Sequence, residues 1–344
     1  MKLREMAKHL GVAASTASRA LNPAKAHLVA EPLRKTIQDY AKKIHYTPNT
    51  LAQNLAKGRS QTIGVIIYSA FGSLFFDDYL PKVQAGIYAA LKNSPSFGCK
   101  IVLLPRGGSL TEIDQHVAGS GVDGILISTI CDFTAGRLRN LASVVERRWR
   151  RPVVALNIDP LPRSRISTVS FNNEEAGYQA AVHLIRRRHR RVGLIYIDDG
   201  SPDIASRLKG FHRGFADHGL SIHVASKVEG DPTEDRSYQS TIEIFKHPEN
   251  AVISAIFCAN DQMAFGCIQA LRTLGKDCPK DVAVMGFDGL TIGAFSFPTL
   301  TSVEQPSYEI ARTGMALLLD LVEGRKKPPV HLTVPSKLIL RDSA

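Results

Sequence analysis

From Thr62 to Phe287 the chain alternates short apolar runs with longer amphipathic ones. TIGVIIY, KIVLLP, VDGILIS and PVVALN form one series, and STVSF, RVGLIYI, a segment near His223 to Val228, AIFCA and VAVMGF form a second. Between them, apolar residues recur at helical spacing: from Tyr79 to Lys92, from Thr111, from Thr134 to Arg148, from Asn173, from about Ile204 to His218, from Glu234 and from Asp261. Runs that are apolar throughout suit strands covered on both faces. Alternation with helices specifies a parallel, doubly wound sheet. The segment Asp159-Pro160-Leu161-Pro162-Arg163 interrupts the rhythm and is expected to be a crossover. Two such series in tandem predict two α/β lobes, with a binding cleft at the carboxyl ends of their strands.

The first 60 residues follow a different rule. Leu3, Met6, Ala7 and Leu10 make one helical stripe, and Gly11 is placed to end that helix. A second helix is expected over Ala14 to Leu21, and a third over Glu31 to Ile44, apolar at Leu33, Ile37, Tyr40, Ala41 and Ile44. Helix, tight glycine turn, helix is the helix-turn-helix pattern. The second helix carries short hydroxyls and a guanidinium, Ser15, Thr16, Ser18 and Arg19, with Asn22 just beyond. Such groups suit phosphate oxygens and base edges. Tyr46-Thr47-Pro48-Asn49 then breaks the third helix, because the residue before a proline avoids helical geometry.

Charge agrees with this division. Residues 1–60 hold 11 Lys/Arg against 3 acids; the other 284 hold 32 against 29. The positive field therefore lies on the segment expected to meet a polyanion.

GVAASTASRALN, YTPN and LAQNLAKGRSQTIGV resemble the LacI/GalR family of bacterial transcription regulators. FNNEEAG, RLKGF, CANDQMAFG, VAVMGFD, LTSVEQP and LILRDS continue the resemblance in family order over essentially the whole chain. It implies a helix-turn-helix head over 1–46, a hinge helix over 47–60 and a two-lobed, periplasmic-binding-protein-like core over 61–344. The implied lobes are about 61–160 with 291–325, and about 161–290 with 326–344. On palindromic operator DNA the matching positions are Leu3, Ala14, Ser15, Thr16, Ser18, Arg19, Asn22, His27, Tyr46, Asn49 and Ala52, with Leu55 as the minor-groove wedge. An apolar wedge that unstacks a base step is physically sound. For the effector the resemblance implies Phe75, Phe76, Asn157, Arg207, Asn260 and Asp288. The partners it implies are operator DNA, a small polar effector of sugar type and a second copy of the chain, in the bacterial cytoplasm, associated with the nucleoid when bound to DNA.

The chain departs from the family at several positions. Ala13 and Ala30 stand where Ser or Thr usually caps a helix, Pro232 replaces a stacking aromatic, and Gly289 replaces a second acid after Asp288. Whether effector releases or promotes DNA binding stays open. A transport solute-binding protein and a two-lobed enzyme are the rival readings. The basic head and the charged N-terminus MKLREMAKHLG count against the first. No phosphate-binding loop, zinc-protease or nucleophile-elbow pattern supports the second, and no cofactor is implied. No run of 18 apolar residues suggests a membrane span. The five cysteines are widely spaced with no Cys-x-x-Cys pair, which points to buried free thiols. RRRHRR (Arg186 to Arg191) and ERRWRR (Glu146 to Arg151) read as solvated helix ends, with Trp149 packing.

Overall fold

The computed structural model describes residues 3–22, 25–46, 60–69, 79–105, 114, 121–129, 135–197, 200, 202–228 and 233–344. The chain divides into two compact units, Met1–Ser60 and Gln61–Ala344.

In the first unit, α1 (Leu3–His9), α2 (Ala14–Ala20) and α3 (Glu31–Lys43) surround a core of Met6, Ala7, Ala17, Ala20, Val29, Ile37 and Ala41. Gly11 ends α1 with φ +65°, and the Val12 amide closes the turn onto the Ala7 carbonyl. Two alanines on one face of α2 let the helices approach closely. Full burial of Ile37 contributes roughly 2 kcal/mol. Gln38 Nε2 donates to the Ala20 carbonyl at 3.0 Å and so caps the end of α2. Neither Ala13 nor Ala30 makes a side-chain cap. Leu33 was expected in the core and is 37% exposed. It lies in the first turn of α3, before the buried stripe of Ile37 and Ala41 begins.

The second unit contains two six-stranded sheets. The first is ordered β11-β5-β4-β3-β1-β2, from β1 (Thr62–Ser69), β2 (Gly98–Pro105), β3 (Gly124–Thr129), β4 (Val153–Leu156), β5 (Ser167–Ser170) and β11 (His331–Thr333), all parallel. The second is ordered β12-β10-β9-β8-β6-β7. It is built from β6 (Val192–Tyr196), β7 (Val224–Lys227), β8 (Ala255–Cys258), β9 (Ala283–Asp288), β10 (Thr301–Glu304) and β12 (Leu338–Ile339). Among the described strands of this sheet, β12 alone runs antiparallel. These are the two lobes. β3, β4, β8 and most of β9 are buried, as their apolar runs require.

The lobe boundaries differ from those expected. The run pattern puts STVSF in the second series, with a crossover at Asp159 to Arg163. That segment is only the loop between β4 and β5, and β5 pairs with β4 in the first sheet, Ala155 opposite Thr168. The chain crosses after Ser170, again after Glu304, and a third time between Thr333 and Leu338. Residues 291–304 therefore belong with lobe 2 and β11 with lobe 1.

Helices α4 (Tyr79–Lys92) and α10 (Ser307–Val322) pack together on the first sheet, and α5 (Ala135–Arg147) covers its other face with Leu138, Leu141 and Val145. On the second sheet, α6 (Asn173–Arg186) crosses α7 (Pro202–Asp217), and α8 (Glu234–Lys246) pairs with α9 (Asp261–Thr273). The α6–α7 crossing is tight: a methyl group on Gly210 would overlap the Glu174 carbonyl, and one on Gly177 would overlap the Arg207 carbonyl.

Trp149 is buried and donates from Nε1 to Asp114 at 2.9 Å, which is a packing role. Arg187 to His189 form the turn after α6. Cys258 and Cys267 are buried free thiols, but Cys99 is exposed, on the edge strand β2. The helix expected from Thr111 falls almost wholly outside the described residues.

Candidate DNA-reading helix and interlobe cleft

On α2, Ala17 and Ala20 face the core, while Ser15 and Arg19 are exposed and Ala14, Thr16 and Ser18 are partly so. One face thus packs and the other offers hydroxyls and a guanidinium to solvent. Asn22 follows, its amide on the Arg19 carbonyl and its own carbonyl accepting from the Lys25 amide. His27 is exposed in a short 3-10 turn. Leu3 and Tyr46 pack partly against the head core. Asn49, Ala52 and Leu55 lie outside the described residues.

In lobe 2, Arg207 on α7 is 3% exposed, not a surface cation. Its Nη2 donates to Asn173 Oδ1 at 3.2 Å, Nη1 donates to the Ala259 carbonyl, and its guanidinium lies 3.4 Å from the centre of the Phe287 ring. Arg207 thereby ties the ends of β8 and β9 to the start of α6. The residues after its two contacts are Asn260 and Asp288, so the three effector candidates of this lobe lie near the carboxyl ends of the adjacent strands β8 and β9, although none of the three is among the residues lining the interlobe cleft. Asn260 has a second task. Its Oδ1 accepts from the Met263 amide at 2.7 Å and caps α9. Asp288 has φ +121°, a conformation that side chains rarely adopt.

In lobe 1, Asn157 follows β4 with φ +57°. Its Nδ2 donates to the Tyr79 hydroxyl at 2.9 Å, and that hydroxyl is 3.4 Å from Ser128 Oγ. Among the described residues, no donor satisfies the buried acceptor Asn157 Oδ1. Phe75 and Phe76 lie outside the described residues.

A cleft of about 270 Å³ spans both lobes, lined by Asp159, Pro160, Ser170, Phe171 and Thr333 from the first and by Asn172 to Glu174 and Ser206 at the start of the second. Asn173 is at once part of this lining and the partner of Arg207. Desolvation, and then the nearby Asp203 carboxylate, push the Asp159 carboxyl above its ordinary value. Glu174 ion-pairs with Lys209 and Arg213, and these bonds hold its carboxyl below its ordinary value. Sequence reasoning did not single out Asp159, Ser170, Ser206, Thr333, Tyr79 or Ser128. Asn173 did lie in a quoted motif, FNNEEAG.

Beneath the β9 end, Asp261 is fully buried. Burial pushes its carboxyl up to about 7, against the opposing pull of Ser302, the Leu290 amide, Arg341 and Lys82. A carboxyl raised in the folded state favours folding while it is protonated, and that contribution fades as pH climbs from about 4, the ordinary aspartate value, towards 7. Asp261→Asn should flatten this slope. Thermal midpoints of both proteins at pH 5 and pH 8 test it; parallel profiles would assign the pH dependence elsewhere.

Among the described residues no group of His, Cys, Asp and Glu is arranged to hold a metal ion, and no helix is long and apolar enough to cross a membrane.

Comparison with known proteins places this architecture. A family model described as a periplasmic binding protein-like domain matches residues 181–344. The HTH-type transcriptional repressor PurR of Aliivibrio fischeri is 26% identical over 99% of this chain and 97% of its own length. PurR of Yersinia pestis is 27% identical over 99% and 96%. Among solved structures, the transcriptional regulator CelR in complex with cellobiose has 25% identity and a TM-score of 0.72, covering all of both chains. The lac repressor dimer bound to operator and the anti-inducer ONPF has 20% identity and a TM-score of 0.82 over 100% of this chain and 98% of its own. With a basic helix-turn-helix head, two crossed-over α/β lobes and similarity along its full length to these proteins, the chain resembles ligand-responsive, DNA-binding transcription repressors of the LacI/PurR type.

Proposed function

We propose that this chain is a cytoplasmic, non-enzymatic repressor that binds a palindromic operator as a homodimer and changes its operator affinity when a small polar metabolite binds between its lobes. The observation that carries the reading is the pairing of an α2 face bearing Ser15, Thr16, Ser18 and Arg19 with a separate cleft lined by polar side chains. Each half-site takes one head, so two copies are required. Ile292, Phe295 and Phe297 supply an apolar surface for a second copy, the two phenylalanines being 78% and 96% exposed.

The effector is of sugar type. Asp159, Ser170, Asn172, Asn173, Ser206 and Thr333 offer acceptors and donors that suit hydroxyls, and Arg207 bonds to Asn173 of the same wall. The deciding experiment is to retain genomic fragments on the purified protein, sequence them, and repeat with pools of sugars and of purine bases. A palindrome retained by a species of twice the chain mass, and shifted by a sugar, is the expected result. A shift by a purine base alone would overturn the sugar assignment, and retention of no particular sequence would overturn the regulator reading. In the same assay, Arg19→Ala should weaken the selected site at least tenfold, the equivalent of about 1–3 kcal/mol for one bidentate base contact. Its folding should be unchanged, because Arg19 is exposed. Affinity within twofold of the parent would remove Arg19 from the reading face.

A further inference from the structure

The turn that carries Asp288 is held from several directions, and one hold comes from the opposite lobe. The Leu290 amide donates to Asp261 Oδ2 at 2.7 Å, the Gly289 amide to Ser302 Oγ at 3.1 Å, and the Gln305 amide to the Asp288 carbonyl at 3.1 Å. Ser302 Oγ in turn donates to Asp261 Oδ1 at 2.5 Å. These groups belong to lobe 2 or its border. The Gly289 carbonyl, however, accepts from Lys82 Nζ at 3.1 Å, and Lys82 stands in the first turn of α4 in lobe 1.

A backbone as unusual as that of Asp288 persists only where its surroundings over-determine it. Removing one constraint lets the turn relax. Removing the constraint that spans the cleft does so in step with lobe movement. The Lys82 bond is charge-assisted, stronger than a bond between neutral groups. It is also half-exposed, so it can be made and broken without unfolding either lobe.

We infer that Lys82 is a positioning residue: by gripping the Gly289 carbonyl from lobe 1, it fixes the pose of Asp288 and makes that pose depend on lobe closure. The effector consequence rests on the proposed function and on the effector role that the family resemblance implies for Asp288; the grip itself does not. Closure then both narrows the cleft and sets the carboxylate at the end of β9, while opening releases both together.

Amide hydrogen exchange on the full-length protein, with no small molecule added, tests the grip. Lys82→Met should speed exchange at Gly289 and Leu290 about tenfold, leave Ala255 to Cys258 in β8 unchanged, and be rescued by Lys82→Arg. Unchanged exchange at Gly289 and Leu290 would overturn the inference. So would equal acceleration in β8, which marks general destabilisation, or failure of arginine to rescue, which marks packing. In the fragment-retention assay, Lys82→Met should raise the sugar-pool concentration needed for half the shift, again with rescue by arginine. If wild-type protein retains no specific fragment, the regulator reading fails, and the exchange data still decide the grip.

Discussion

Gly210→Ala is expected to lower the thermal midpoint by about 10 °C, the largest stability loss from adding one methyl group at this helix crossing. The new Cβ would overlap the carbonyl of Glu174, a backbone group that cannot rotate aside. Helices α6 and α7 would have to move apart. Ala176, Ala180, Ala181 and Leu184 on one, and Phe211 and Phe215 on the other, would then lose their close packing. Phe211 also stacks on Phe257 at 4.3 Å, so the disturbance reaches the second sheet. Overpacking of this kind costs about 3 kcal/mol. In a domain of this size each kcal/mol moves the midpoint by roughly 2–4 °C. Gly98→Ala is the control. A methyl there meets nothing within 4 Å, and the midpoint should stay within about 2 °C. Equal midpoints for the two variants would mean that the crossing is slack.

Arg207 should show the largest functional effect, provided the substitution is chosen with care. Arg207→Ala would leave the Asn173 oxygen and the Ala259 carbonyl without their donor and strip the face of Phe287, at a cost of about 3 kcal/mol or more. Lost effector response in that variant would be confounded by instability. Arg207→Lys is the sharper test. It keeps the charge and much of the stem but cannot reproduce a fork that bonds two partners while stacked on a ring. The expected outcome is a folded protein that retains its operator fragment but no longer shifts with the sugar pool. An unchanged response would mean that Arg207 does not act on the cleft through Asn173. A response lost together with the fold in both variants would limit its role to structure.

Much of the fold was legible in the sequence because its strongest signals are local. TIGVIIY and VDGILIS are apolar throughout because β1 and β3 lie inside a sheet covered on both faces. Gly11 marked its turn because an αL position admits few other residues. What escaped was set by distant pairing. Ser167 to Ser170 are short and hydroxyl-rich, and nothing within them says which sheet they join; that depends on Leu156 opposite Val169 and on His331 opposite Thr168. Pro160 and Pro162 marked a break correctly, but a break does not reveal whether the chain leaves the lobe or turns back.

The candidate site shows the same divide. Arg207 was visible through its motif, whereas its partners Asn173 and Phe287 lie 34 and 80 residues away in sequence. Asn260 was read for the cleft alone, and its capping of α9 depends on a backbone amide that its residue type alone does not reveal. The grip of Lys82 on Gly289 spans 207 residues and leaves no local trace.

The interleaving of the two sheets also sets the order in which they can be completed during synthesis. β5 emerges early, but the strand that flanks it, β11, lies beyond the whole of lobe 2, and β12 follows it by only a few residues. At ordinary ribosomal rates the outer side of β5 waits roughly 10 to 30 s for its neighbour. Through that interval lobe 1 presents an unpaired strand, the feature most prone to join a foreign chain. Ser167, Thr168 and Ser170 make that waiting edge polar, so the hydroxyls that hid β5 from a reading of apolar runs are also what a nascent lobe needs to stay solvated.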